Sequence, residues 1–307
     1  NTLQISAVIW LLWNFTLGYN TLSSPAVANN MVFIGCYGGS LYALDESTGS
    51  PVWTYATGGT IQTSPAVAYD KVFIASNDGF LYAISMDGSF QWKNNVTNTY
   101  WNIYPSPSAA DNKVFIGSSH MRGNVSYATT FAFDQSTGSK RWDYVAAGDV
   151  WGSPAVAYNK VFISYSLSSE ASRVYAFDLN GHWVWEYDTN GTTPFYTPPA
   201  VADGMVFETS NRGKIYALNQ SDGSEIWQLT VEPSLPWYVT NSAPVVADGK
   251  LFVSFNNMLY AFGTHNLALT DITVPSSCAA GDMVSVNVAV KNDGDFTENF
   301  NLTVYYN

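Results

Sequence analysis

Residues 43–53 read "ALDESTGSPVW", and close copies stand at 132–142, "AFDQSTGSKRW", and at 217–227, "ALNQSDGSEIW". Weaker copies begin at Ala83, "AISMDGSFQW", and at Ala176, "AFDLNGHWVW". A catalytic motif needs to occur once, whereas one spread evenly along a chain is architecture. Asp45, Asp134 and Asn219 are placed to accept hydrogen bonds from the backbone just ahead, in an Asx-type turn. Gly49, Gly138 and Gly223 supply the positive φ of a tight hairpin. Trp53, Trp92, Trp142, Trp185 and Trp227 fall on an outer strand, where a wide ring covers the joint between sheets. The motif predicts a hairpin followed by a wedge.

A second element precedes each copy, as in "SSPAVANNMVFIG" from Ser23 and "TSPAVAYDKVFIA" from Thr63. Its prolines are Pro25, Pro65, Pro107, Pro154, Pro199 and Pro244, spaced by 40, 42, 47, 45 and 45 residues. Each unit reads as four short strands with no helical period, which is the layout of a propeller blade. Six proline elements are followed by five tryptophans, because the chain runs from Tyr260 into "GTHNLALTD" without one. The missing strand is at the other end, where "VIWLLWNFT" places Trp13 40 residues before Trp53. The expectation is an all-β, six-bladed β-propeller over 9–263 with four-stranded blades, closed by its N-terminal strand, which removes the exposed sheet edges.

The repeat resembles that of the pyrroloquinoline-quinone (PQQ) enzymes, Ala-x-Asp-x-x-Thr-Gly-x-x-x-Trp, which 43–53 and 132–142 match in full. The resemblance implies the blade type and leaves two branches. One holds quinone-dependent alcohol dehydrogenases; the other holds non-catalytic scaffolds such as outer-membrane assembly lipoproteins. The dehydrogenases have eight blades, adjacent cysteines against the cofactor, and a calcium site beside a catalytic Asp. This chain has two cysteines, Cys36 and Cys278, far apart, and its repeated acidic residues are explained by turns. The scaffold branch, with no cofactor and no catalysis, is the better match.

Other enzyme classes fare no better. His120, His182 and His265 lie in separate segments without metal-ligand spacing, and no Gly-x-Ser-x-Gly elbow occurs. A net charge of −12, with 12 Lys and Arg residues forming no block, opposes nucleic-acid and anionic-membrane binding. The apolar run "ISAVIWLLWNF" is too short for a spanning helix, and its β-branched and aromatic content reads as a strand. The chain opens on Asn1, read as a processed start. Six sequons, at Asn14, Asn95, Asn124, Asn190, Asn219 and Asn301, are either chance or the mark of an exported, glycosylated protein. One face collects Tyr19, Trp101, Trp151, Phe195, Tyr196 and Trp237 from entering loops, and Tyr37, Arg122, Arg173 and Arg212 from the others. Rings with a few arginines suit a glycan or a protein partner, or else plug the channel mouth.

After Gly263 the pattern becomes "LALTDITVPSSCAAGDMVSVNVAVKNDGDFTENFNLTVYYN". Its "LTDITVP" and "AGDMVSVNVAVKNDGD" resemble the opening of a cell-adhesion-related Ig-like (CARDB-like) domain, common on bacterial and archaeal surfaces. The family fold needs about seven strands, and residues 264–307 hold about three. Either the chain is a fragment of a larger surface adhesin, or another subunit completes the sheet. The candidate donor is an arm over 1–8, alternating Leu3, Ile5 and Ala7. Arm and acceptor at opposite ends propagate head to tail into a filament unless they close a ring. Cys278 either pairs with a cysteine of the next copy, such as Cys36, or stays unpaired. The overall expectation is an extracellular, non-enzymatic, structural or adhesive protein of a prokaryotic cell surface, whose partners are copies of itself, glycans or surface proteins.

Overall fold

The computed structural model describes residues 11–97, 103–123, 125–167, 171–190, 194–231, 242–255, 258–263, 267–273 and 287–292. No helix occurs among the described residues. The first sheet sets the pattern, with Ala26–Ala28, Met31–Gly35, Ser40–Asp45 and Pro51–Ala56 pairing in chain order, all antiparallel. Four-stranded sheets follow over 66–95, 108–147 and 200–230. The fourth sheet, over 149–188, gains a short extra strand, Asp149–Val150, and the sixth, over 245–263, has three strands among the described residues. The short first strands of consecutive sheets touch one another in order, which is a propeller-like arrangement.

Turn chemistry builds each sheet. First and second strands are joined by two residues of positive φ, such as Asn29 (50°) and Asn30 (60°), the primed turn that suits twisted strands. Tyr69 and Tyr158 occupy this conformation despite their bulk, and their hydroxyls accept N–H groups of Asn112 (2.9 Å) and Gly204 (3.0 Å) in the following sheets. The opening motif forms the expected Asx turn. Asp134 Oδ1 accepts the N–H groups of Ser136 and Thr137 at 2.9 Å each, and Gly138 sits at φ 72°. The Ser136 hydroxyl, followed by the Arg141 guanidinium, holds the Asp134 carboxyl well below the usual carboxylate range.

The tryptophan wedge joins one sheet to the next. Trp53, Trp92, Trp142 and Trp185 lie over Gly88, Gly138, Gly181 and Gly223 of the following sheet's turn. Their Nε1–H groups donate to the carbonyls of Met86, Gln135, Leu179 and Gln220 at 2.8–3.1 Å. Buried apolar clusters straddle the same joints, so the core is a series of inter-sheet seams.

Trp13 repeats the arrangement for the first sheet, covering Gly49 and donating to Glu46 O at 2.8 Å. Phe15 packs edge-on to Tyr42 as Tyr55 packs on Tyr82. Residues 11–17 carry no assigned strand, although Trp13, Phe15 and Leu17 are half-buried while Asn14 and Thr16 are exposed.

Among the described residues no strand pairs with the outer flank of the sixth sheet. Leu41, Leu81, Val174 and Ile215, the second residues of the third strands "SLYALD", "FLYAIS", "RVYAFD" (within Ser172–Asp178) and "KIYALN", are 0 % exposed. Leu259 in "MLYAFG" is 72 % exposed. Beyond it, Leu267–Thr273 pairs antiparallel with Asn287–Asn292. The arm with Leu3, Ile5 and Ala7, and Cys278 and Asn301 of the tail, lie outside the described residues. Cys36 is fully buried.

Candidate functional site

Three rings from consecutive entering loops meet at one edge of the fold. Tyr104, Trp151 and Tyr196 each stand three residues before a repeat proline, and so fall at equivalent positions of the third, fourth and fifth sheets. Tyr104 stacks on Trp151 at 5.1 Å between centroids and 25° between planes. Tyr196 meets Trp151 edge-on at 5.6 Å and 76°. Tyr104 and Tyr196 remain 39 % and 38 % exposed, so the arc is both packed and accessible.

A rigid frame holds these loops. Ser24 N–H donates to Ser64 Oγ (2.9 Å), Ser64 N–H to Ser106 Oγ and Ser106 N–H to Ser153 Oγ (2.8 Å each), forming a belt through four sheets. At Gly152 the backbone lies so close to Thr197 and Pro198 that any Cβ would collide with it. A frame of this kind lowers the conformational-entropy cost of any contact made at these rings.

The other predicted face residues divide. Tyr19 is exposed and lies over Gly38, and Tyr37 is at the exposed margin. Phe195 is a correction: its ring is buried against Tyr216 at 5.5 Å, because strand-like alternation turns it inward and Tyr196 outward. Arg173 is likewise no open donor. Its Nε donates to Asp188 Oδ2 at 2.8 Å, and the Tyr175 hydroxyl and Asp188 both hold the guanidinium charged. Arg212 is half-buried in a turn where its N–H meets Ser210 Oγ at 3.4 Å. Arg122 ends the strand Lys113–Arg122, while Trp101 and Trp237 lie outside the described residues. Tyr104 escaped the sequence reading, which favoured its neighbour Trp101; the constant offset from the proline was the signal.

Of the sequons, Asn14, Asn95 and Asn190 are exposed. Asn219 is half-buried, with its Oδ1 accepting from Ser221 N–H at 2.8 Å in an Asx turn, and Asn124 lies outside the described residues. His182 Nδ1 is 2.8 Å from Asp178 Oδ2 in a turn, and His120 stacks on Tyr127 at 5.9 Å. His265 lies outside the described residues.

A recess of about 400 Å³ lies between the first two sheets, lined by Tyr55, Gly58, Asp78, Tyr82, Phe90 and Lys93. Asp78 Oδ2 accepts the Tyr82 hydroxyl (2.5 Å) and Gly58 N–H (2.8 Å), and the Lys93 ammonium sits 4.4 Å from the Phe80 ring centre. Its polar groups thus serve one another. Among the described residues no group of three His, Cys, Asp or Glu is disposed to hold a metal. With no adjacent cysteines in the sequence, these residues do not fit a quinone-with-calcium centre.

Comparison with known proteins agrees with this geometry. The chain is 24% identical over 154 residues to the tetrathionate hydrolase of Acidithiobacillus ferrooxidans, covering 45% of this chain and 30% of that protein. It is 30% identical over 102 residues to the outer membrane protein assembly factor BamB of Moranella endobia, covering 33% and 25%. The chain thus spans under a third of the length of these curated relatives. The crystal structure of BamB from Moraxella catarrhalis superposes with a TM-score of 0.64 at 19% identity, over 86% of this chain and 80% of that one, which shows a shared fold. A family model described as outer membrane protein assembly factor BamB matches residues 10–164 and 105–287. With the repeat, turn and wedge all in place, the chain belongs to this PQQ-like repeat family.

Proposed function

We propose that the chain is a non-catalytic scaffold subunit of the cell exterior. In this reading six blades close into a ring when residues 9–17 add a fourth strand to the sixth sheet, and copies then join head to tail. The observation that carries it is the exposed flank at Leu259, 72 % exposed where its five counterparts, Thr130 among them, are 0 %. Covering one leucine side chain contributes about 1.5–3 kcal/mol, so this edge favours a strand.

The register of the other sheets specifies which strand. Ala43 pairs with Trp53 and Leu41 with Tyr55. By analogy Trp13 pairs with Ala261 and Phe15 with Leu259, antiparallel. With the bulge that follows Ala43 carried over, this register places residue 8 beside residue 265, so arm and tail leave the ring at one corner. The arm then completes an Ig-like tail domain over 264–307, either its own or that of the next copy. Exchange between copies is the route to a filament, by backbone pairing with Leu3, Ile5 and Ala7 supplying alternate contacts. The BamB relatives, named as assembly factors, support a scaffold role.

Removal of residues 1–8 is expected to leave a folded ring and abolish polymers, read by sedimentation and negative-stain electron microscopy. Polymers that survive the deletion would sink the donor-arm assignment. Monomers from the full chain at every concentration would mean that each arm completes its own tail. Dye reduction on adding PQQ, calcium and an alcohol would overturn the non-catalytic reading.

The aromatic arc favours a second role, as the binding face of an adhesin. Here Trp151→Ala is expected to weaken glycan-array or surface-protein binding at least about tenfold, as central aromatic anchors do. Binding equal to wild type would remove the arc from the interface.

A further inference from the structure

The joint between the fourth and fifth sheets departs from its neighbours in two ways. The fourth position of the second strand is Ile34, Ile74, Ile116, Ile163, Glu208 and Val253 across the six sheets. Alternation turns this position toward the preceding sheet: Ile74 packs into the core shared with the first sheet, Ile116 with the second, Ile163 with the third. The next position along the strand, facing the following sheet, is Gly35, Ala75, Gly117 and then Ser164. At Gly117 a methyl group would come within 3.0 Å of Ile163 Cδ1, so the isoleucine fills the space above a residue without a side chain. In the next joint Glu208 replaces the isoleucine, Ser164 replaces the glycine, and the Ser164 hydroxyl donates to Glu208 Oε1. Both members of the pair have changed together.

Glu208 is 0 % exposed, and its Oε2 has no hydrogen-bond partner among the described residues. In its own sheet the register partner is Tyr216, whose ring centre is 6.0 Å from Lys214 Nζ. From the fourth sheet come Ser164, Tyr187 against Tyr216 at 6.0 Å, and the mutually paired Arg173 and Asp188. Among the described residues Glu208 itself forms no ion pair.

The second departure is in the serine belt. The residue after Ser153 in that series is Pro198, which has neither an N–H nor a hydroxyl, so the belt ends at this joint. The Trp151–Tyr196 contact of the aromatic arc spans the same joint.

We infer that this joint is a proton-controlled seam, closed while Glu208 is protonated and opening as it ionises, so that the aromatic arc is intact only in the closed state. A buried carboxylate without a countercharge is strongly disfavoured, and opening hydrates it. Burial is the largest cause of its shift and pushes Glu208 up to about 8 from 4.5, against the hydrogen bonds from Ser164 and Thr209. A raised folded value means that the joint is most stable below 4.5, loses stability as pH rises to about 8, and is level above that.

The test is hydrogen–deuterium exchange of the full chain from pH 5 to 10, corrected for the intrinsic rate. The open population at 160–166 and 205–210 is expected to rise by up to about tenfold per pH unit between 5 and 8, then level off. Glu208→Gln is expected to abolish the slope, while the joint around Ile116 stays flat in both proteins. Glu208→Ile, carrying the residue of the first four sheets, is a second flat control should the glutamine variant fold poorly. A flat wild-type profile, an equal slope at Ile116, or a slope surviving in either variant overturns the inference.

Discussion

Trp92→Ala is expected to lower the unfolding free energy by about 3–5 kcal/mol, the range for removing a large buried aromatic side chain. Trp92 is 7 % exposed and packs against Phe73 (5.8 Å) and Phe133 (6.4 Å), one ring from its own sheet and one from the next. Truncation opens a cavity on both sides of the joint at once, so neither sheet can collapse to fill it. It also strands the Gln135 carbonyl, which accepts the indole N–H at 3.0 Å. Set against a total stability of roughly 5–15 kcal/mol, this is a large fraction. Urea denaturation followed by circular dichroism measures it, with Phe90→Ala, at a side chain 49 % exposed, as the mild comparison. A loss under about 1 kcal/mol would mean that the ring lies on the joint without sealing it.

That prediction rests on the most legible part of the chain. Asp134, Gly138 and Trp142 sit within nine residues, and each acts through a local rule, so the turn and its wedge could be read without a structure. What lay between sheets could not. The Ser106–Ser153 link joins residues 47 apart, and its existence depends on how two loops are brought together. Tyr104 was hidden by the same limit, because its value comes from stacking on Trp151 of another unit. Phe195 and Tyr196 are adjacent and equally apolar, and only the strand's alternation sends one inward and the other out. Glu208 was visible in "MVFET" beside "KVFIS", yet a glutamate in an isoleucine's place gains meaning only when Ser164 is found facing it.

Gly138→Ala tests the same joint from the other side, with an expected loss of about 2–5 kcal/mol. Two terms add. A φ of 72° costs a residue with a Cβ about 1–2 kcal/mol. The new methyl group would also stand 2.7 Å from Trp92 Cδ2 and 2.8 Å from Asn94 Nδ2, both closer than van der Waals contact, and such overpacking costs about 1–3 kcal/mol. Asn94 cannot retreat freely, because its amide donates to the Gly138 carbonyl at 2.5 Å. The double variant Trp92→Ala/Gly138→Ala separates the terms. With the indole gone its part of the clash disappears, while the contact with Asn94 and the φ cost stay. The double loss is therefore expected to fall short of the summed single losses by about 1–2 kcal/mol. Pairing Trp92→Ala with Gly223→Ala, which lies under Trp185 in another joint, should be additive within about 0.5 kcal/mol. Equal coupling in both pairs would mean that the substitutions act through the unfolded chain, and the glycine would be required by its backbone angle alone.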